Sequence, residues 1–418
     1  MRFATLAEWL DWQEKLHPRA VDLGLERVGQ VLTRLDVKVP PGGVITVGGT
    51  NGKGSCVAYL EAMLLGERRT GAYTSPHLLD YNERIRIGGA PAADGDIMVA
   101  FQRVDDARGE VRLTYFEFGT LAALWLFAQA RCEVWLLEVG LGGRLDAVNA
   151  LDADVAVITS VEVDHVEWLG ADRAAIGFEK AGIMRQNRPV ILGETEPPES
   201  LLAHARSIGA LVWRLGRDFR IVEDRNSWCW VSADRRLDGL PHPAMAGAHQ
   251  RVNAACAIAA LEALAPGMTP ETALRHGLVA ARLPGRLQVV PGAPEWIFDV
   301  AHNPAAAAAL ADNLAARPAA ARTHAVLGML ADKDAAGFAR ALRKQIDHWY
   351  TADLAYLERG LSDEALQARL AGTVEATPAG SVAAACALVA GIAEPRDRIL
   401  VCGSFHTVGA ALRYRETT

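Results

Sequence analysis

The stretch VITVGGTNGKGSCVAYLEAML, from Val44 to Leu64, decides the fold. A β-branched apolar run leads into a glycine-rich turn, and a helical pattern opens at Lys53-Gly54-Ser55. Three glycines and an asparagine between strand and helix let the backbone approach an anion with its N–H groups exposed. The helix N-terminus adds roughly half a positive charge. Lys53 supplies a mobile cation for β- and γ-phosphate oxygens, and Ser55 a hydroxyl for a magnesium ion. A plain strand-to-helix turn also draws on glycine, but it has no use for Lys-Gly-Ser at its apex. The expectation is a phosphate cradle over Gly49, Thr50, Asn51, Gly52, Lys53, Gly54 and Ser55. Its register departs from the usual G-x-x-x-x-G-K-[ST] pattern. Gly54 separates Lys53 from Ser55, and Gly48 stands one place too near Gly52.

Working outward, EVWLLEVG (133–140), DVAVITSV (154–161) and PVILGE (189–194) are nearly continuous apolar runs. Such runs suit parallel strands covered on both faces. Helical patterns between them, such as FEFGTLAALWLFAQAR (116–131), complete a βαβ rhythm. Residues 211–240 change to strand-like alternation with turn signals, which predicts an antiparallel annex before a helix over 247–264. A second α/β rhythm starts near 295 with WIFDV, HAVLGML, HWYTADL and RILVCGS. The alanine-rich AHNPAAAAALADNLAARPAAAR reads as a helix started by Asn303-Pro304. The expected fold is therefore α/β. A P-loop-type ATPase domain over 1–290 carries a mostly parallel, doubly wound sheet and the small annex. A smaller Rossmann-like α/β domain follows over 291–418, with Gly285 in LPGRL as the hinge start.

At 418 residues the chain exceeds one ordinary core, in keeping with two domains. Half of it is hydrophobic and 22% is charged, the balance of a globular enzyme. A net charge of −7 without a basic stripe argues against nucleic acid or an anionic membrane surface as partner. No apolar run approaches the roughly 18 residues that span a bilayer. The start, MRFATLAEWLDWQEKL, is helical and acidic, unlike an export signal. The six cysteines are dispersed without a C-x-x-C pair, as expected of buried thiols in the cytoplasm.

Further residues stand out by chemistry. Glu138 ends an apolar strand before Gly140-Leu-Gly-Gly, and the mouths of parallel strands are where α/β ligand sites form; a solvated strand end is its plain alternative. Asp164-His165 follow DVAVITSV, where a histidine is either hydrogen-bonded structure or a metal ligand. Lys180 lies in FEKAGI, on a helix where lysine is ordinarily solvated. In GAHQRVNAACAIAAL, His249 and Asn253 fall one turn apart on a single face, which a polar pair at a helix start explains as readily as a site.

The variant loop GTNGKGS resembles the ATP loop of the Mur ligase superfamily. YTSPHLLDYNERIRI (73–87), LEVGLGGRLDAVNALDADVAVITSVEVDHVEWLG (137–170) and FEKAGIMR (178–185) look like its folate branch, the bifunctional dihydrofolate synthase/folylpolyglutamate synthase family. So do LPGRLQVV, IFDVAHNPAAA, LGMLADKD, VCGSFHTVG and the N-terminal LAEWLDWQEKLHPRAVDLGLERV, so that the resemblance runs in order along nearly the whole chain. It implies a ligase that uses ATP to join L-glutamate to dihydropteroate, and then further glutamates to reduced folates, through an acyl phosphate. It implies two magnesium ions, one near Ser55, Ser75 and Glu138 and the other near Glu138 and His165, with Lys180 carbamylated as a ligand. A monovalent cation is expected beside them. Lys53, Lys180, His165 and Arg286 form the implied catalytic set. Asn253 is assigned to the adenine side, Arg286 to the ATP phosphates and Asp299 to the ribose. His302 and Ser404, the latter beside Phe405 and His406, are placed with the incoming amino acid. Asp22 and Arg27 are placed with the dihydropterin, and Arg144 and Asp146 near the same pocket. Family habit implies a monomer.

Two stretches depart from the family pattern: HPAMAGAHQRVNAA carries a fuller His-Gln-x-x-Asn form, and Val166 fills a site often held by threonine. The competing expectations are a monofunctional folylpolyglutamate ligase, a sugar-peptide Mur ligase and a non-catalytic ATP-binding relative. The last would have lost Lys53, Ser75, Glu138, His165 or Lys180, and all five are present.

Overall fold

The apolar runs of the first half of the chain become strands of one eight-stranded sheet in the computed structural model, which describes residues 1–417. In chain order the strands are β1 (Val44–Gly48), β2 (Thr70–Tyr73), β3 (Ile85–Ile87), β4 (Ala90–Pro91), β5 (Val134–Glu138), β6 (Val155–Ile158), β7 (Pro189–Leu192) and β8 (Leu211–Arg214). They lie in the order β4-β3-β2-β5-β1-β6-β7-β8, antiparallel at β2-β3-β4 and parallel elsewhere. β1 and β5 are central and buried at every residue, which explains why their sequences show no alternation. The helix Tyr115–Gln129 is apolar nearly all round and buried likewise; Thr114 and Glu117 close a capping box at its start.

Beyond Arg214 the expected annex differs in extent. Leu211–Arg214 is not part of it but pairs parallel with β7 as the outer strand of the main sheet. The helix Glu199–Ile208 before it completes one more crossover, and the turn at Gly216 (φ 82°) ends the parallel run. The annex is then β9 (Phe219–Glu223), β10 (Trp228–Ser232) and β11 (Arg236–Leu240), antiparallel throughout. Trp230 fastens it down: its indole N–H donates to Ala255 O at 3.2 Å, on the helix Ala248–Leu264.

The chain separates into two compact units. The first takes Met1–Ala244 and Gln250–Ala281; the second takes Met245–His249 and the chain from Arg282 onward. The second unit holds a six-stranded sheet of β12 (Gln288–Val290), β13 (Glu295–Phe298), β14 (Thr323–Leu327), β15 (His348–Asp353), β16 (Ala376–Ser381) and β17 (Arg398–Cys402). Their order is β12-β13-β17-β14-β15-β16, with only β12-β13 antiparallel. The alanine-rich helix runs Pro304–Ala315, started by the Asn303 side chain accepting from Ala306 N–H at 2.9 Å. Among the described residues no helix is long and apolar enough to cross a membrane, and the six cysteines are free and buried.

Candidate active site

The turn after β1 is held from behind by the residues that follow β6. Thr50 N–H donates to Ser160 O at 2.7 Å, Asn51 N–H to Ser160 Oγ at 3.0 Å, and Thr159 Oγ1 to Asn51 O at 2.6 Å. Two glycines are obligatory. Gly49 (φ 139°) passes so near that a Cβ would lie 2.0 Å from Thr159 Oγ1, and at Gly52 (φ 88°) a Cβ would lie 2.4 Å from Asn253 Oδ1. The helix Lys53–Leu64 starts at this point with no side-chain cap, leaving its first N–H groups directed at the turn. Lys53 Nζ folds back over the loop to donate to Gly49 O at 3.1 Å and Thr50 O at 3.3 Å. Ser55 is buried, and its hydroxyl accepts from Gln250 Nε2 at 3.3 Å; Gln250 Oε1 in turn accepts from Asn253 Nδ2 at 3.3 Å. From the sequence, Gln250 stood out only as part of the His-Gln-x-x-Asn form, without a role. Gln250 links Asn253 to Ser55 beside the loop.

The mouth of β5 lies beside this turn, since Glu138 is in register with Val47 of β1. Glu138 is only 5% exposed, and its Oε2 accepts from Ser75 N–H at 3.1 Å, so these two are brought together. Asp146 is buried, with Leu141 N–H at 2.8 Å and Val148 N–H at 3.1 Å on its two oxygens. Burial pushes its carboxyl up to about 7 against those bonds and against the charge of Lys53. Lys180, on the helix Arg173–Ala181, is 3% exposed. Burial brings its ammonium down to about 7, and the charge of Lys53 acts in the same sense; Asp164 and Glu194 oppose. Lys53 is therefore the charge felt by both Asp146 and Lys180. His165 turns the chain after β6 with φ 51°, and its N–H donates to Asp164 Oδ1 at 2.8 Å.

A hard divalent cation takes oxygen donors. Among the described residues no group of three His, Cys, Asp or Glu side chains gathers to hold one. The buried carboxylate of Glu138 beside Ser75 and the buried hydroxyl of Ser55 fit a cation that draws its remaining donors from a nucleotide and water, as magnesium-like ions do.

The N-terminal segment adds a separate cluster to the first unit. Arg27 pairs with Asp22 at 2.7 Å and with the buried Glu117 at 3.0 Å, and Gly24 N–H donates to Leu145 O at 3.3 Å, which lays this segment against the residues before Asp146. Glu117 was missed, although Thr114-x-x-Glu117 is legible as a capping box. Arg144 directs its guanidinium to Glu179 at 2.8 Å and over the Phe178 ring at 5.7 Å, on the exposed side.

In the second unit the mouths of β13 and β17 carry their own group. Asp299 accepts from Leu287 N–H and Ala301 N–H, each at 2.8 Å; burial raises its carboxyl while Arg286 and His249 draw it down. The Arg286 guanidinium lies 5.1 Å over the Phe405 ring, and the His302 ring 6.2 Å from it. Ser404 Oγ is buried against Thr407 Oγ1 at 2.7 Å and accepts from Thr407 N–H at 3.0 Å, starting the last helix.

Comparison with known proteins follows the same outline. Residues 285–405 match the family model described as the Mur ligase glutamate ligase domain. The chain is 46% identical over 404 residues to the dihydrofolate synthase/folylpolyglutamate synthase of Escherichia coli (strain K12), covering 96% of this chain and 94% of that one. The structure of E. coli FolC in complex with DHPP and ADP is similar with a TM-score of 0.94 and 44% identity, over 99% of this chain and 98% of that one. A bifunctional folylpolyglutamate synthase/dihydrofolate synthase with Mn, AMPPNP and L-glutamate bound has a TM-score of 0.92 at 44% identity and the same coverage.

Proposed function

The chain belongs to the dihydrofolate synthase/folylpolyglutamate synthase family, and on that premise we propose how its residues carry out ATP-dependent ligation of L-glutamate to folate substrates. The observation that carries the reading is the glycine turn between β1 and its helix, with Lys53 folded over it and Glu138 at the neighbouring strand mouth. A carboxylate is inert to amines because oxide would have to leave. When its oxygen attacks the γ-phosphorus of ATP, ADP departs and an acyl phosphate forms. The amine of glutamate then adds to the carbonyl carbon, phosphate leaves, and the amine proton goes to water. Such steps depend on charge neutralisation more than on acid–base side chains.

In this reading the N–H groups of Gly49–Ser55 hold the phosphates and Lys53 steadies the γ-phosphoryl group. Ser55, Ser75, Glu138, His165 and Lys180 hold a divalent cation, proposed as a pair of magnesium ions, and a monovalent cation joins them. A metal there supplies charge neutralisation at the phosphate oxygens. Lys180 is suited to carbamylation because a buried amine drawn down to about 7 has a large neutral fraction near neutral pH, and only the neutral amine adds to CO₂. Asn253, Arg286 and Asp299 are proposed for the nucleotide, His302 and Ser404 for glutamate, and Asp22, Arg27, Arg144 and Asp146 for the pterin-bearing acid. We also propose a cytoplasmic monomer, divided near residue 290 into an ATP-binding domain and a glutamate-ligase domain; the family match from 285 and the second compact unit from Arg282 support that division.

Purified protein with ATP, glutamate and either dihydropteroate or tetrahydrofolate tests this by ADP release and product mass. ADP with both acids, one per amide formed, is the expected result. ADP with tetrahydrofolate alone would mean a monofunctional ligase, and no ADP with either would overturn the reading.

A further inference from the structure

Arg84 is an arginine of the first unit to which the proposed reaction gives no part. It ends the short helix Tyr81–Arg84 just before β3, and its carbonyl accepts from Thr74 N–H at 2.9 Å, next to Ser75. Its guanidinium stands 5.5 Å from the ring centres of both Tyr81 and Tyr115. Its Nε donates to His77 Nδ1 at 2.8 Å, which orients the planar fork. The other arginines of this region each have an acid: Arg27 has Asp22 and Glu117, Arg86 has Glu61, Arg144 has Glu179 and Arg173 has Glu194. No carboxylate pairs with Arg84 among the described residues.

The same residue lies close to Ser75 through the Thr74 bond, and its charge reaches the neighbouring Tyr73 phenol. The Tyr73 phenol, held at about 12 by burial, is drawn down by Arg84 and pushed up by Asp146, so both charges lie round one hydroxyl. Phe116 continues the aromatic wall. Its ring centre is 5.7 Å from that of Tyr73, and the ring lies 2.7 Å from where a Cβ on Gly140 would fall, two residues beyond Glu138.

The two reactions of the family differ in one chemical respect. Dihydropteroate bears a single carboxylate, the one that is activated. A glutamate-bearing folate is activated at its γ-carboxylate and brings an α-carboxylate on the same residue, which enters the site as a second, unreacting anion. That anion needs a cation close to the strand mouths, partly shielded from water and not already neutralised by an internal acid. We infer that Arg84 receives this α-carboxylate, and so serves the extension of folates while taking no part in the activation of dihydropteroate. The inference rests on the function proposed above and adds the residue that distinguishes its two acid substrates.

The test compares the wild type with Arg84→Ala and Arg84→Lys, each with dihydropteroate and with tetrahydrofolate monoglutamate. The KM for tetrahydrofolate should rise roughly tenfold to hundredfold in Arg84→Ala, less in Arg84→Lys, with that for dihydropteroate within about twofold. A tetrahydrofolate analogue carrying an α-carboxamide supplies a second arm. The wild type should lose affinity for it by a similar factor, and Arg84→Ala should scarcely distinguish amide from acid. Equal losses on both acids, or an Arg84→Ala enzyme that still prefers the α-acid, would overturn the inference. If Arg84→Ala does not fold, Arg84→Lys and the analogue with wild type still decide it. A wild type inactive on both acids would instead sink the proposed function itself; active on tetrahydrofolate alone, it leaves the analogue arm to decide.

Discussion

Asn253 stands so close behind Gly52 that a Cβ at position 52 would come within 2.4 Å of its Oδ1. Two segments some two hundred residues apart in the chain thus fix the glycine turn together, one by lacking a side chain and the other by filling the space. Gly52→Ala adds a left-handed strain of about 1–3 kcal/mol to that clash. Its nucleotide affinity should fall at least tenfold in calorimetric titration. Adding Asn253→Ala should restore part of the stability lost, read in thermal unfolding, since it removes the clash and leaves only the strain. A single variant with unchanged affinity would contradict the obligatory glycine.

Lys53→Ala should abolish turnover and leave the fold in place. Its ammonium donates to two carbonyls of its own turn, and alanine favours the helix that begins there. Circular dichroism and thermal unfolding close to wild type, with no ADP released, is the expected pair of results. Normal turnover would remove Lys53 from the phosphates.

As the free amine, before carbamylation, Lys180 predicts a pH dependence of stability. Its folded value of about 7 lies below the ordinary 10.5. Between those values the unfolded chain holds a proton that the folded chain has released, so stability from this residue rises with pH across that window. Its stabilising part is complete above the ordinary value and lost as pH falls through about 7. Lys180→Met should flatten the rise, measured by urea unfolding at about pH 6 and about pH 9. On the activity side, Lys180→Ala should lose roughly a hundredfold or more in turnover, with partial rescue by formate or acetate. Unaltered metal dependence in that variant would argue against a ligand role.

Arg27→Met should cost about 1–3 kcal/mol in unfolding free energy, because Glu117 is left buried with a charge and one partner fewer. Arg27→Met combined with Glu117→Gln should recover much of that cost in a double-mutant cycle. Additive losses would mean that the pair does not couple.

Much of this architecture was legible because strands buried on both faces leave unbroken apolar runs, as β1, β5, β6 and β7 do. The glycine turn after β1 was legible because its glycines are required by backbone geometry rather than by distant packing alone. β8 was read into the annex because a four-residue edge strand carries too little pattern to declare its partner. Gln250 was noted only within the His-Gln-x-x-Asn form, because a helix amide carries no chemical signature of a role; its place 3.3 Å from Ser55, 195 residues earlier, is visible only in the fold. The Arg27–Glu117 pair spans 90 residues and follows no periodicity. The shift at Lys180 arises from burial, which only the assembled fold creates.

The central claim is that ATP activates the acid by direct phosphorylation before the amine arrives. Dihydropteroate labelled with oxygen-18 in its carboxylate tests this in a single turnover. The account predicts that the released phosphate carries one labelled oxygen drawn from that carboxylate. Phosphate free of label, formed together with the amide, would contradict it.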